Sequence, residues 1–150
     1  FSKACARSIG SDLSEAAGAG AAGGLSGGMA AYLGAMIESG ADYVLKLTGV
    51  VDEIKTADAV ITGEGKIDSQ TLSGKIVFKI AAAAKAFGVP LYGIAGTSEL
   101  SENDLMDMGF SAVETLEKYA TSREDSIVNA KKYLAMAAEN LIDSFGETKR

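Results

Sequence analysis

The architecture of this chain follows from one stretch, Ala57-Asp-Ala-Val-Ile-Thr-Gly-Glu-Gly-Lys-Ile-Asp-Ser-Gln-Thr-Leu-Ser-Gly-Lys75, in which a short apolar run leads into a polar loop. The apolar part, residues 59–62, predicts a buried strand that ends at Gly63. Similar runs at Leu91–Ala95, closed by Gly96, and at Ala112–Leu116 predict two more strands. The segments between these runs have helical spacing, so strands and helices are expected to alternate.

Three helices are predicted between and after the strands. Gly88 and Pro90 end the first helix, Ser101 caps the second, and Thr121 with Glu124 forms a capping box for the last. The inner faces of the first and last helices are predicted from apolar spacing as Ile76, Ile80, Ala83, Ala84 and Phe87, and as Ile127, Leu134, Ala138 and Leu141.

This order predicts an α/β fold, a three-layer parallel sheet with helices on both faces and right-handed crossovers. Open sheets of this kind bind ligands beyond the carboxyl ends of their strands. The rule selects three segments as site candidates: Gly63–Gly65, Gly96–Ser98 and Glu117–Lys118. Thr97 and Ser98 could bind a substrate there, although the same residues also commonly initiate turns.

The first part of the chain is rich in glycine and alanine. Residues 1–9 predict a helix, and a second helical face is formed by Leu25, Met29, Leu33, Met36 and Ile37 and is expected to end at Gly40. Asp42–Leu47 fits either a strand or a helix. The uncharged stretch Ala16–Ile37 is long enough to span a bilayer, but its glycines and missing aromatic belt favour a buried, close-packed segment.

Composition excludes several functional classes. The formal net charge of −6 and the absence of a basic cluster argue against nucleic-acid binding. No histidine occurs, which excludes Ser-His-Asp and Cys-His catalysis. Cys5 is the single cysteine, so no intramolecular disulfide can form, and a cytoplasmic location is expected. The chain starts at Phe1 with helical sequence, from which we expect a fragment of a longer protein.

The run Gly18-Ala-Gly-Ala-Ala-Gly-Gly24 has the G-x-G-x-x-G pattern. A dinucleotide fingerprint needs a strand immediately before it, and the preceding residues are polar and helix-like, so NAD binding is not predicted. Two interpretations stay open for Gly20, Gly23 and Gly24. Their amides could contact a phosphate at the start of the following helix, or the small residues could simply permit close packing.

The loop after the first strand gathers chemically active groups. Gly63 and Gly65 permit close approach of a ligand, and Glu64 and Asp68 could hold Mg²⁺ or accept a hydroxyl proton. Lys66 and Lys75 could neutralise phosphate oxygens. The loop is not a Walker A motif, because Lys75 is followed by Ile76. The alternative is a solvated loop in which Asp68 or Ser69 caps the next helix.

Three segments together resemble bacterial glycerate kinases of the two-domain, non-MOFRL type. They are residues 57–75, the run Gly18–Gly28 with the helix after it, and Gly88-Val-Pro-Leu-Tyr-Gly-Ile-Ala-Gly96. The resemblance covers nearly the whole chain. It implies that residues 1–150 are a single C-terminal segment, with a glycine-rich part at 16–40 and an α/β part at 57–145, that completes a Rossmann-like domain. An N-terminal portion of the same enzyme would then be missing.

The resemblance implies ATP-dependent phosphorylation of D-glycerate with Mg²⁺, giving a phosphoglycerate, with 2-phosphoglycerate expected. Under that hypothesis Asp68 accepts the hydroxyl proton or ligates the metal beside Glu64, and Lys66 and Lys75 offset phosphoryl charge. Gln70 and Thr71 would orient substrate oxygens. No membrane partner is expected, and a homodimer stays open. The rival hypotheses are a nucleotide- or sugar-phosphate-binding domain without kinase activity and a structural half that only completes a fold.

Overall fold

A computed structural model of the chain describes residues 2–10, 12–69, 71 and 75–145. The chain forms two compact units, Phe1–Val44 and Leu45–Arg150, and the boundary falls inside a helix. The elements in chain order are α1 (Ser2–Ile9), α2 (Ala21–Leu33), α3 (Gly40–Thr48), α4 (Val50–Thr56), β1 (Val60–Ile67), α5 (Ile76–Phe87), β2 (Leu91–Ser98), α6 (Glu102–Met108), β3 (Phe110–Thr115), α7 (Arg123–Val128) and α8 (Ala130–Phe145).

The second unit is built on a three-stranded parallel sheet in the order β1-β2-β3. Val60 pairs with Leu91, which in turn pairs with Phe110, and the register shifts by one residue after that pair. Each strand is followed by helical structure, α5 after β1 and α6 after β2. The predicted α/β fold with a parallel sheet is therefore confirmed.

Helices cover both faces of this sheet. Successive side chains of a strand point to opposite faces, so neighbouring residues of β2 contact different helices. Leu91 and Ala95 of β2 join a core that also contains Val77, Ala81 and Ala84 of α5. The neighbouring residue Tyr92 faces the other way, and its ring lies 4.1 Å from the ring of Phe145 in α8. Helix α5 thus packs on one face and α8 on the other.

The first two strands are longer than predicted. We expected β1 to end at Gly63 and β2 at Gly96, but pairing continues to Ile67 and Ser98. The two glycines explain why the sequence is misleading. A Cβ on Gly63 would overlap the carbonyl oxygen of Ile94, and one on Gly96 would lie 2.5 Å from the carbonyl oxygen of Gly65. These glycines therefore allow the backbones to pair closely and do not terminate the strands.

Two helix faces differ from the prediction. In α5 the buried residues are Val77, Ala81 and Ala84, and the predicted Ile76 and Phe87 are exposed. The C-terminal segment is two helices divided at Asn129, and its buried face is Tyr133, Ala137 and Leu141, whereas Ile127 and Leu134 are exposed. Two predicted helix boundaries are confirmed. Gly88, with a φ of 68°, ends α5, and Ser101 caps the start of α6.

The cap of α7 is displaced by one residue from the prediction. Ser122, and not Thr121, is the N-cap, and its hydroxyl accepts a hydrogen bond from the backbone N–H of Asp125. Thr121 instead donates both its N–H and its hydroxyl to the Asp125 carboxylate. The N-cap moves to Ser122 because the charged carboxylate of Asp125 is a strong acceptor and binds both the N–H and the hydroxyl of Thr121.

The first unit contains α1, α2 and the start of α3. Helix α1 agrees with the prediction, but α2 ends at Gly34 (φ 65°), and Gly40 begins the next helix instead of ending this one. Of the predicted apolar face, Leu25, Met29, Leu33 and Met36 are exposed. The ambiguous segment Asp42–Leu47 is helical. Within the described parts of the chain, no helix is both long and apolar enough to span a bilayer.

Candidate active site

A cleft of about 810 Å³ opens at the carboxyl ends of the strands in the second unit. Gly65 and Lys66 of β1 form one part of its wall, and Gly96 and Thr97 of β2 form the next. The segment after β3 closes the far side with residues that include Glu117 and Arg123. All three segments selected from the sequence therefore contribute to, or lie beside, this cleft, which has the position expected for a ligand site in an open parallel sheet.

Lys66 is the cation at the β1 side of the cleft. Its Nζ lies 2.7 Å from Oε1 of Glu99 and 3.6 Å from Oδ2 of Asp68. The hydrogen bond to Glu99, reinforced by the charges of both carboxylates, raises the pKa of Lys66 above its ordinary value, against a smaller opposing effect of burial. Lys66 is therefore a permanent positive charge at neutral pH and cannot serve as a proton acceptor there.

The buried residue Thr71 connects the carboxylate of Glu64 to the backbone of Asp68. The hydroxyl of Thr71 donates a 2.5 Å hydrogen bond to Oε1 of Glu64. The oxygen of this hydroxyl, Oγ1, also accepts a 3.2 Å hydrogen bond from the backbone N–H of Asp68. The backbone N–H of Thr71 also donates to the carbonyl oxygen of Asp68 at 2.9 Å. Glu64 and Asp68 are thus held on either side of one fully buried side chain.

Asp68 also lies close to a second lysine. Nζ of Lys75 is 4.0 Å from Oδ1 of Asp68, whose side chain is 14% exposed, whereas the lysine itself is 44% exposed. The loop thus brings together five of the predicted residues: Glu64, Lys66, Asp68, Thr71 and Lys75. Gln70, which was also predicted, lies outside the described residues.

The two glycines of the loop have different surroundings. Neither has a positive φ. Gly63 is required by the neighbouring strand, whereas a Cβ at Gly65 would meet nothing within 4 Å. Because Gly65 also lines the cleft, the empty space beside it is available to a ligand.

The other predicted glycines, Gly20, Gly23 and Gly24, belong to the first unit. Ala22, Gly23 and Gly24 have left-handed backbone, with φ of 50°, 68° and 94°. The N–H of Gly24 already donates to the carbonyl oxygen of Gly20 at 3.2 Å. A hollow in this unit includes the carboxylate-bearing residue Glu38 in its wall, but none of the three glycines. Phosphate contact at these glycines stays a prediction.

The described residues contain no group of three or more acidic, histidine or cysteine side chains that could hold a metal ion. Mg²⁺ in nucleotide enzymes is commonly held by one or two carboxylates together with phosphate oxygens. Glu64 and Asp68, which both contact Thr71, fit that smaller requirement. The residues present are thus compatible with Mg²⁺ that arrives with a phosphate ligand.

The prediction from sequence did not include Glu99 or Arg123 in the site. Glu99 follows β2, where its N–H bonds the carbonyl oxygen of Ile67, and this contact brings its side chain to Lys66. Arg123 comes directly after the cap of α7. Ligands bind beyond the carboxyl ends of the strands, and applying this rule to the residues from Glu117–Lys118 up to the next helix would have identified Arg123.

Fold and cleft together define an α/β protein with a charged cleft at the ends of its parallel strands. The model of the glycerate kinase family matches residues 1–146, and the chain belongs to this family. It is 37% identical over 144 residues to a glycerate kinase of Bacillus subtilis strain 168, with 96% of this chain and 38% of that protein covered.

Other similar proteins are also named as glycerate kinases. Glycerate 2-kinase of Escherichia coli K12 is 32% identical over 130 residues, which cover 87% of this chain and 34% of that protein. A crystal structure designated as glycerate kinase 2 from Salmonella typhimurium LT2 superposes with a TM-score of 0.70 at 32% identity, covering 99% of this chain and 38% of that one. The chain thus spans little more than a third of the length of the curated relatives it matches.

Proposed function

We propose that this chain is part of a kinase that transfers the γ-phosphoryl group of ATP to a hydroxyl of D-glycerate, with 2-phosphoglycerate as the product. Support comes from membership of the glycerate kinase family together with the charged loop that follows the core of β1. The observation that carries the proposal is the 3.6 Å ion pair between Asp68 and Lys66, the lysine that lines the strand-end cleft.

Lys66 and Lys75 are suited to offset the charge of the transferred group. Phosphoryl transfer depends chiefly on positioning and on electrostatic stabilisation of the equatorial oxygens, so permanent cations at the cleft are the required chemistry. The raised pKa of Lys66 keeps it protonated throughout the neutral range. Its partner Glu99 is 62% exposed on its side chain and can move away when a phosphate oxygen takes its place.

Asp68 is proposed as the acceptor of the hydroxyl proton. Its side chain is largely buried yet lies within 4.0 Å of both lysines. Thr71 fixes the backbone of Asp68 and the carboxylate of Glu64, so both acidic groups keep their orientation. Gln70 and Thr71 are proposed to orient substrate oxygens.

Glu64 and Asp68 would hold Mg²⁺ together with phosphate oxygens of ATP. The ion would supply positive charge between those oxygens, in addition to the charge of the lysines. The amides of Gly20, Gly23 and Gly24 are proposed as further phosphate contacts. Because the matched relatives are more than twice as long, we propose that additional polypeptide of the same enzyme completes the site.

The test compares Asp68→Asn with Asp143→Asn in the complete enzyme, meaning a polypeptide of the relatives' length that includes these residues. Asp143 is an exposed residue of α8 and serves as the matched control. We expect Asp68→Asn to lower kcat by about 10²-fold or more, the typical effect of losing a positioned acid–base group. Activity within a few-fold of the unmodified enzyme would exclude Asp68 as the base. Binding of ATP and glycerate without turnover in the unmodified enzyme would favour the non-catalytic alternative.

A further inference from the structure

Arg123 is a cation on the cleft wall that the chemistry proposed above does not use. It is the first residue of α7, its side chain is exposed, and it lines the cleft opposite the ends of β1 and β2. Within residues 2–10, 12–69, 71 and 75–145, its guanidinium makes no hydrogen bond or ion pair. An unpaired guanidinium on a concave surface is a ready partner for a planar oxyanion, which it can bind with two parallel hydrogen bonds.

The other charged residues of the wall already have partners. Lys66 is paired with Glu99 at 2.7 Å. Glu117 accepts the hydroxyl of Thr97 at 2.6 Å and the backbone N–H of Ser98 at 3.3 Å. Among the charged residues described in the wall, this leaves Arg123 as the available positive charge. That balance suits an anion of single charge, whereas a triphosphate at this end would face Glu117 with one cation to offset it.

Ser126 provides a second group with no partner. It lies three residues after Arg123, so both side chains are on the same side of α7, and Ser126 also lines the cleft. Its hydroxyl makes no hydrogen bond with the described residues. A guanidinium beside a hydroxyl offers hydrogen-bond donors to both oxygens of a carboxylate.

The turn that carries Arg123 is firmly anchored. The carboxylate of Asp125 accepts hydrogen bonds from the N–H of Thr121 at 2.8 Å, the hydroxyl of Tyr133 at 2.9 Å and Nδ2 of Asn129 at 2.7 Å. Tyr133 is buried in α8. The backbone of α7 is therefore tied to the rest of the second unit, and ordering costs on ligand binding fall mainly on the Arg123 side chain.

We infer that Arg123 is the residue that binds the carboxylate of the hydroxy-acid substrate, with Ser126 donating a further hydrogen bond to the same carboxylate. The inference rests on the proposed function for the identity of the acid. The carboxylate lies at α7, and the hydroxyl that reacts lies toward Lys66 and Asp68.

The experiment measures binding of D-glycerate and of its neutral amide, D-glyceramide, by calorimetry to the complete enzyme. The variants are Arg123→Gln, Arg123→Lys and Ser126→Ala, and Lys131→Gln is the control because it removes one exposed charge of α8 that does not line the cleft. Thermal unfolding of each variant checks the fold. ATP binding is measured in parallel, to separate a carboxylate contact from a phosphate contact.

For Arg123→Gln we expect the Kd of glycerate to rise by 10-fold or more, the Kd of ATP to stay within twofold, and glyceramide to bind both forms equally weakly. Arg123→Lys should recover part of the loss, because it keeps the charge without the planar fork. A glycerate Kd within twofold in Arg123→Gln, or a change confined to ATP, overturns the inference. Absence of glycerate binding by the unmodified enzyme also overturns it.

The two proposals fail in different ways. If glycerate binds in a manner that depends on Arg123 but ATP is not consumed, the kinase function is wrong and the acid site stands. If ATP-dependent turnover is normal and Arg123→Gln alters neither KM nor Kd for glycerate, the function stands and the assignment of Arg123 is wrong.

Discussion

The hydroxyl of Thr71 donates a 2.5 Å hydrogen bond to the carboxylate of Glu64 and accepts the backbone N–H of Asp68. One buried atom thus fixes two acidic residues that are separated in sequence by the end of β1.

Replacing Thr71 by valine, which keeps the shape but removes the hydroxyl, should lower the free energy of unfolding by about 1–3 kcal/mol, because a buried N–H and a carboxylate each lose a partner. Thr71→Ser keeps the hydroxyl and should lose less. Chemical denaturation of both variants provides the measurement. Equal stability of Thr71→Val and the unmodified protein would show that solvent replaces the hydroxyl freely.

A pair of glycine substitutions should separate folding from ligand binding. Gly96→Ala places a methyl group 2.5 Å from the carbonyl oxygen of Gly65, and we expect a loss of about 1–3 kcal/mol from overpacking. Gly65→Ala meets no atom within 4 Å and should leave the unfolding midpoint nearly unchanged. Because its methyl group enters the cleft, Gly65→Ala should instead weaken ligand binding.

Thermal unfolding and ligand titration of the two variants test this separation. If Gly65→Ala destabilised the fold as much as Gly96→Ala, the prediction that only the close contact at Gly96 affects the free energy of unfolding would be wrong.

Asp125 should make stability depend on pH in the acid range. Hydrogen bonds from the N–H of Thr121, then from Tyr133 and Asn129, lower the pKa of Asp125 from 3.8 to about 2. A lowered folded-state pKa means that the contribution is complete above 3.8 and is lost as the pH falls through the folded value. The unmodified protein should therefore lose part of its stability between pH 4 and pH 2.

In Asp125→Asn this part of the acid dependence should be absent, while stability at pH 7 is lower. The difference in unfolding temperature between the two proteins, followed from pH 7 to pH 2, isolates the contribution of Asp125 from those of other carboxylates. A difference that stays constant across this interval would contradict the assignment.

Lys66 should act as a fixed charge in any reaction that the complete enzyme performs. Lys66→Gln is expected to lower kcat by about 10²-fold, the usual cost of removing one preorganised charge from a transition state. Because the pKa of Lys66 is raised by its hydrogen bond to Glu99, no loss of activity from its deprotonation is expected in the neutral range. The pH–rate profile of the unmodified enzyme and the kcat of Lys66→Gln, with Lys131→Gln as control, provide the test.

Sequence patterns located the strands and the cleft but not their limits. Apolar runs identify where β1 and β2 begin, although the continuous burial that such runs predict is found in β2 and not in β1, where Ile61 is exposed. Their ends depend on contacts across the sheet, such as Gly96 against Gly65, which a single strand does not reveal. The loop residues from Glu64 to Lys75 were found because they are adjacent in sequence and chemically unusual.

Arg123 has no such local signal. It lies in the cleft because the chain after β3 turns back across the strand ends, a consequence of tertiary packing around Asp125 and Tyr133. The same packing explains the misassigned face of the last helix. Spacing alone selected Ile127 and Leu134, whereas the break at Asn129 rotates α8 so that Tyr133 and Ala137 are buried.

The ion pair of Lys66 with Glu99 has a consequence for ligand exchange. Before any anion arrives, the protein supplies its own carboxylate to the lysine, so the cleft contains an internal competitor for its ligand. Added salt should screen this competitor as well as the attraction for the incoming anion, and the two effects oppose each other. Binding to this end of the cleft should therefore respond to ionic strength less steeply than its charge alone suggests.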